Sequence, residues 1–205
     1  MPHFARLISF LLVMAAAPAA AGQSTSFFID LPGDGIAASH NGALALAAGP
    51  PGIALLTEER VKHGLAILMK VRNDAGEVIG FASELESFPA KGDMLHQDIT
   101  WNTAWTLVIP GQGMLFLHET EHSGELGPKV VNPTMASGEP WQGSWHTQTT
   151  NGPRADGLGE VIGGTGAFKG AKGSFAESIT LTQYTKEGLL FGKLELRITW
   201  ETPPQ

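Results

Sequence analysis

The chain of 205 residues contains no cysteine. That absence removes disulfides, thiolate metal sites, zinc ribbons and cysteine nucleophiles together, so any chemistry must come from His, Asp, Glu, Ser, Thr, Asn or Lys. Charge is also scarce. Only 16% of residues are Asp, Glu, Lys or Arg against 42% hydrophobic, whereas a disordered chain needs more charge and less apolar content. The 13 basic residues are outnumbered by 20 acidic ones and nowhere form a dense stripe, which leaves a phosphate backbone no footprint and excludes nucleic acid as the expected partner. No serine sits in a G-x-S-x-G elbow, so serine hydrolysis has no motif behind it. What the chain has in excess is glycine, 26 residues without a three-residue period, which points to turns rather than to collagen.

Residues 1–21 carry one positive charge at Arg6, an apolar run from Leu7 to Met14, and Ala19 and Ala21 in A-x-A spacing. This is the pattern of a secretory signal peptide cut after Ala21. A bilayer span needs about 20 apolar residues, and this run dissolves sooner into Ala and Pro. The expectation is therefore a single domain over 22–205, periplasmic or secreted, with no membrane association once the peptide is gone. Losing Arg6 moves the net charge from −7 to −8.

Within 22–205 apolar residues recur at period two far more often than at 3.6. Along 190–201, Leu190, Gly192, Leu194, Leu196, Ile198 and Trp200 share one face; along 98–109, Ile99, Trp101, Thr103, Trp105, Leu107 and Ile109 do the same. Pro110-Gly111-Gln112-Gly113 then reads as a hairpin turn into a strand over 114–122. Further strands are predicted at 26–30, 66–72, 77–84, 143–149, 160–162 and 174–185, with turns at 73–76 and 186–188. Residues 43–48 and 57–63 are the two short helical candidates, and 123–140, rich in Gly and Pro, reads as a long rim or lid loop. Short strands joined by tight turns predict an antiparallel barrel or sandwich rather than a parallel α/β sheet.

Three motifs need weighing. His118-Glu119-Thr120-Glu121-His122 satisfies H-E-x-x-H, but a zinc protease needs that spacing on a helix. On the predicted strand, His118, Thr120 and His122 share one face and Glu119 and Glu121 the other. The two His then lie about 14 Å apart along the strand, too far for a tight site, and no metal is expected. Gly163-Gly164-Thr165-Gly166-Ala167-Phe168-Lys169-Gly170 superficially resembles a nucleotide loop, yet it leads into a strand and lacks the P-loop spacing. Its glycines read as a bulged turn with Phe168 as a plug. Trp101 and Trp105 fall on one strand face, and Trp141 and Trp145 on another; such indoles suit either a packed core or a cavity for an apolar or aromatic guest.

The run from Gly157 to Phe175, Gly-Leu-Gly-Glu-Val-Ile-Gly-Gly-Thr-Gly-Ala-Phe-Lys-Gly-Ala-Lys-Gly-Ser-Phe, resembles the allene oxide cyclase and dirigent superfamily, whose members carry a G-G-T-G-x-F-x-G-A-x-G turn after a strand. The resemblance implies an all-β, antiparallel eight-stranded barrel of lipocalin-like shape, here with a few extra N-terminal strands or turns, an apolar cavity, and assembly as a homodimer or homotrimer. Gly163, Gly164, Thr165, Gly166, Gly170 and Gly173 are its structural turn. The motif carries no catalytic residue.

From the residues themselves, a closed barrel of about eight strands is just wide enough for one small ligand. Trp101, Trp105, Trp145 and Phe116 are the candidate lining. His118, the His most embedded in an apolar run, is the candidate acid/base; the competing reading is a buried neutral His bonded to a backbone carbonyl. His146 is its reserve, and Glu84 and Glu86, which share a face at a strand end, read as rim carboxylates, with a carboxylate pair as the alternative. The expected function is action on a small apolar or aromatic metabolite without a cofactor, as an isomerase, cyclase, lyase or stereo-directing protein. The alternatives are a non-catalytic periplasmic carrier of such a ligand and a barrel filled by side chains.

Overall fold

The structure is a computed structural model that describes residues 22–31, 35–39, 63–89, 99–186 and 188–205. The helical candidate 43–48 and, but for His63, the candidate 57–63 lie outside those residues, as does the segment 1–21.

Ten strands follow in order: β1 (Ser24–Leu31), β2 (Gly35–Ser39), β3 (Gly64–Arg72), β4 (Val78–Ser87), β5 (Thr100–Ile109), β6 (Gly113–His122), β7 (Trp141–Gln148), β8 (Gly159–Gly164), β9 (Lys172–Tyr184) and β10 (Leu190–Thr202). Every pairing is antiparallel, and the order β1-β10-β9-β8-β6-β5-β4-β3 closes on itself where Phe28 of β1 meets Arg72 of β3. β2 continues along β3 beyond that point, Gly35 opposite Met69 and Ser39 opposite Leu65, so β1 and β2 act as one stave of an eight-stranded barrel. β7 is the extra strand, paired with β9 beyond the end of β8. Among the described residues no helix is long and apolar enough to cross a membrane.

Alternation decides which side chains enter the barrel. In β5 Trp101, Thr103, Trp105, Leu107 and Ile109 are buried, and in β10 Leu194, Leu196, Ile198 and Trp200. Trp105, Leu107, Ile109 and the four residues of β10 join Ile29, Val71, Ala82, Leu115, Leu117 and Phe175 in a continuous apolar core that fills one end of the interior. The hairpin turns fall where the glycines place them, for example at Gly111, where Gln112 N–H donates to Ile109 O at 2.9 Å.

The segment 123–140 is not the extended loop its Gly and Pro content suggested. It folds into a single π-helical turn, Gly127–Val131, followed by α1, Asn132–Ser137. Pro128 and Pro133 stand in the first turns of these helices, where the missing N–H has no intrahelical partner to lose. Val130 and Val131 are thereby buried with Leu126 against Leu181 and Tyr184, forming a second, smaller core.

The glycine-rich turn runs through the end of β8 and a 3-10 turn, Gly166–Phe168, and drives Phe168 into the main core. Thr165 latches it to the β5–β6 hairpin: Thr165 N–H donates to Met114 O at 2.8 Å and Met114 N–H donates to Thr165 Oγ1 at 3.0 Å. Gly164 and Gly173 admit no Cβ without collision, Gly164 against Phe168 and Met114 O and Gly173 against Thr199 O. Gly163 has positive φ in open space.

Two contrasts test this turn. Gly166 (φ +60) packs against Gln112 O, whereas Gly170 (φ +77) faces open space. Gly170→Ala is expected to cost about 1–2 kcal/mol for its left-handed backbone alone, and Gly166→Ala distinctly more. Phe168→Ala is expected to cost about 3–5 kcal/mol as a core cavity. Urea denaturation of the three variants measures the order.

Candidate active site

Opposite the apolar end, the barrel interior is acidic. The inward positions of β4 are Ala82, then Glu84 and Glu86; those of β6 are Leu115 and Leu117, then Glu119 and Glu121; and in β9 Phe175 is followed by Glu177. All five glutamates are buried, Glu119 completely. Strand register sets them in rows: Glu86, Thr103 and Glu119 lie side by side across β4, β5 and β6, with Glu84 beside Trp105 and Trp101 beside Glu121. No Lys or Arg is buried with them among the described residues.

Indole and hydroxyl donors fix part of this layer. Trp105 Nε1 donates to Glu119 Oε1 at 2.9 Å, and Trp101 Nε1 to Glu86 Oε1 at 3.2 Å. Thr150, in the seam between β7 and β8, donates through Oγ1 to Glu119 Oε2 at 2.5 Å and accepts the backbone N–H of Glu177 at 2.6 Å. Both oxygens of Glu119 are therefore held. Glu86 Oε2, Glu121 Oε1, Glu177 Oε2 and Thr103 Oγ1 have no well-directed hydrogen bond to a partner among the described residues.

Burial, which penalises the charged form, pushes every one of these carboxyls up. For Glu86 it raises the pKa to about 8, opposed by the hydrogen bonds from Trp101 and Glu84. Glu84, Glu119, Glu121 and Glu177 are raised well above the ordinary carboxyl range, by burial first and then by their negative neighbours. All five shifts favour the uncharged acid, a form able to donate as well as accept hydrogen bonds.

The residues singled out from sequence divide accordingly. Trp101 and Trp105 stand in the acidic layer. His118 and Phe116 lie half-buried on the opposite face of β6, turned away from the interior that His118 was expected to line. His122 shares that outer face, and its Nδ1 accepts the Gly124 N–H at 3.1 Å. The reason is the strand period: placing Leu115 and Leu117 in the core turns Glu119 and Glu121 inward and the His outward. Trp145 packs with Trp141 in the second core, apart from Trp101 and Trp105. His146 is exposed and bonds Thr180 Oγ1 at 2.9 Å. Glu84 and Glu86, read as rim carboxylates, are interior. Glu177 went unread, although its place between Phe175 and Ile179 on one strand face was a signal.

A pH dependence follows. Each raised carboxyl binds a proton in the folded state that the unfolded chain has released, so its stabilisation is complete below the unfolded pKa, near 4.5, and is lost as pH rises towards the folded value. In chelating buffer the thermal midpoint is expected to fall from pH 5 towards pH 9. Glu121→Gln, which replaces this buried ionisable group by a neutral isostere, is expected to gain about 1–3 kcal/mol at the alkaline end and little at pH 5. Urea melts at the two pH values measure it.

No family model and no curated protein matches this chain. Among solved structures it is similar to a pterocarpan synthase dirigent protein at 12% identity and a TM-score of 0.40, over 90% of this chain and 87% of the other.

Proposed function

We propose that this is an exported barrel protein that takes a small apolar or aromatic metabolite into its acidic layer and acts on it without an organic cofactor, as an isomerase, cyclase or lyase or by directing stereochemistry. The observation that carries the reading is Glu119: a fully buried carboxyl with both oxygens fixed, by Trp105 and by Thr150, in a row with Glu86 and Thr103. A group so held is preorganised for proton transfer or for orienting a guest. Around it the unpartnered oxygens of Glu86, Glu121, Glu177 and Thr103 are sites that a hydroxylated aromatic molecule would satisfy. The acid/base role assigned to His118 from sequence passes in this reading to Glu119. The carrier alternative uses the same binding layer and differs in lacking turnover.

Two further parts belong to the proposal. Export is supported by the start of β1 at Ser24, with Gln23 O already accepting Trp200 N–H at 2.9 Å, directly after the cleavage point expected from sequence. Membership of the allene oxide cyclase and dirigent superfamily rests on the glycine-rich turn and the barrel it closes. Self-association as a homodimer or homotrimer would cover the outward face of β3 and β4, where Leu68, Phe81 and Leu85 are 47%, 45% and 53% exposed.

Tryptophan fluorescence titrated with phenolic and fatty-acid ligands tests the binding layer. A phenolic ligand is expected to perturb the emission saturably; Glu119→Gln should weaken it about tenfold or more, and His118→Ala should leave it unchanged. Silence with every ligand class, or loss in His118→Ala alone, contradicts the assignment. N-terminal sequencing of the exported protein should begin at Gly22.

A further inference from the structure

Glu84 from β4, Glu121 from β6 and Glu177 from β9 each point one carboxyl oxygen at a common space, the three atoms lying within 4.8 Å of one another. All three side chains are buried, so this is not the loose convergence of a solvated acidic surface. A second observation is independent of their charge. Thr103 is 1% exposed, and its Oγ1 faces the Glu121 carboxyl without a well-directed hydrogen bond to any partner among the described residues. A buried hydroxyl is ordinarily paired, because leaving it unpaired costs free energy that folding does not otherwise recover. Glu121 Oε1 and Glu177 Oε2, on two of the three converging side chains, are likewise unpartnered among the described residues.

Size and donor type narrow what would fit. Oxygens around one cation are separated by at most twice the metal–oxygen distance, about 4.6–5.2 Å for calcium and about 4.0–4.2 Å for magnesium. Within 4.8 Å of one another, the three oxygens are close enough to share one cation, and a cage of protein carboxylates in place of the waters that magnesium keeps favours calcium. The donors are all oxygen, which suits hard cations and not zinc or copper. We propose that Glu84, Glu121 and Glu177, with Thr103 Oγ1 as a neutral fourth oxygen, form a binding site for a calcium-sized divalent cation inside the barrel. His118 and His122 take no part, being on the outer face of β6. The ion supplies the positive charge that no buried Lys or Arg supplies among the described residues, and it ties three strands together at the acidic end. The site shares its interior with the proposed metabolite site but does not depend on that reading, since no organic ligand enters the argument.

The test uses the purified protein stripped with EDTA and no organic ligand. Isothermal titration with calcium is expected to give one ion per barrel with a Kd below about 1 mM, the upper end for extracellular calcium modules. Terbium, a calcium surrogate, is expected to luminesce on tryptophan excitation, because Trp101 and Trp105 stand in the same layer, and to be displaced by calcium. At hundredfold saturation the thermal midpoint should rise by roughly 5–10 °C. Glu121→Gln and Glu177→Gln should each weaken calcium at least about tenfold, while Glu160→Gln, on an exposed position of β8, should not. Circular dichroism checks that the variants keep the barrel. Wild-type protein that binds neither calcium nor terbium at millimolar concentration, or binding that survives both Gln substitutions, overturns the proposal. Calcium binding with no response to any phenolic or fatty-acid ligand removes the metabolite reading and leaves this one standing.

Discussion

A barrel of eight strands that turns five glutamates inward faces a charge constraint. Two unit charges about 5 Å apart interact by about 3 kcal/mol even at an effective dielectric of about 20. Three such pairs approach the whole folding stability of a typical domain, about 5–15 kcal/mol, before any desolvation cost is added. The five side chains therefore cannot all be bare carboxylates while the barrel stays closed. They must hold protons, a cation or a ligand that answers their charge, and each solution ties the fold to something in the surrounding medium.

The rest of the architecture can be understood as support for that layer. The opposite end of the interior is apolar and closely packed, from Ile29 and Val71 to Phe175 and Leu196, with Phe168 driven in by the glycine-rich turn. This is where hydrophobic burial stabilises the barrel. The seam between β6 and β9 is closed by β8 at the apolar end and, at the acidic end, by the residues that follow β7. Thr150 lies in that second stretch, joining the Glu119 carboxyl to the Glu177 backbone, so the extra strand also positions the acidic layer. Trp101 and Trp105 give the layer a wall that is apolar in area and polar at one atom.

Much of the barrel was legible in the sequence. β5 and β10 alternate large apolar residues with polar ones, and Asn73, Pro110 and Lys186 head turns with glycine in the expected places. β2 was not legible, because Gly-Ile-Ala-Ala-Ser carries neither bulk nor alternation. The helical turns over Gly127–Ser137 were hidden by Pro128 and Pro133, which sit at helix starts where proline is tolerated. The acidic layer was half legible. In β6 both faces are apolar at the start, Met114 and Phe116 on one and Leu115 and Leu117 on the other, so local pattern alone could not choose between His118 and Glu119. The hairpin register decides it: Ile109 opposite Gly113 puts Leu107 opposite Leu115, Trp105 opposite Leu117 and Thr103 opposite Glu119. Opposed residues share a face, so the tryptophans and Glu119 must enter the barrel together. Glu84 and Glu86 read as rim because isolated glutamates almost always are; the clustering of five on β4, β6 and β9 is a property of the closed barrel and of no single strand.

The central claim is that these five carboxyls form one buried layer whose burial favours their protonated form when no cation is present. Side-chain carboxyl carbon NMR of glutamate-labelled protein in EDTA, followed from pH 4 to pH 9, tests it most directly. The account expects Glu84, Glu86, Glu119, Glu121 and Glu177, assigned by Gln substitution, to remain protonated well above pH 5, with Glu86 titrating near pH 8, while the exposed glutamates ionise in the ordinary range. Five resonances that ionise together with the exposed ones near pH 4 to 5 would show a solvated acidic mouth instead, and would contradict the account.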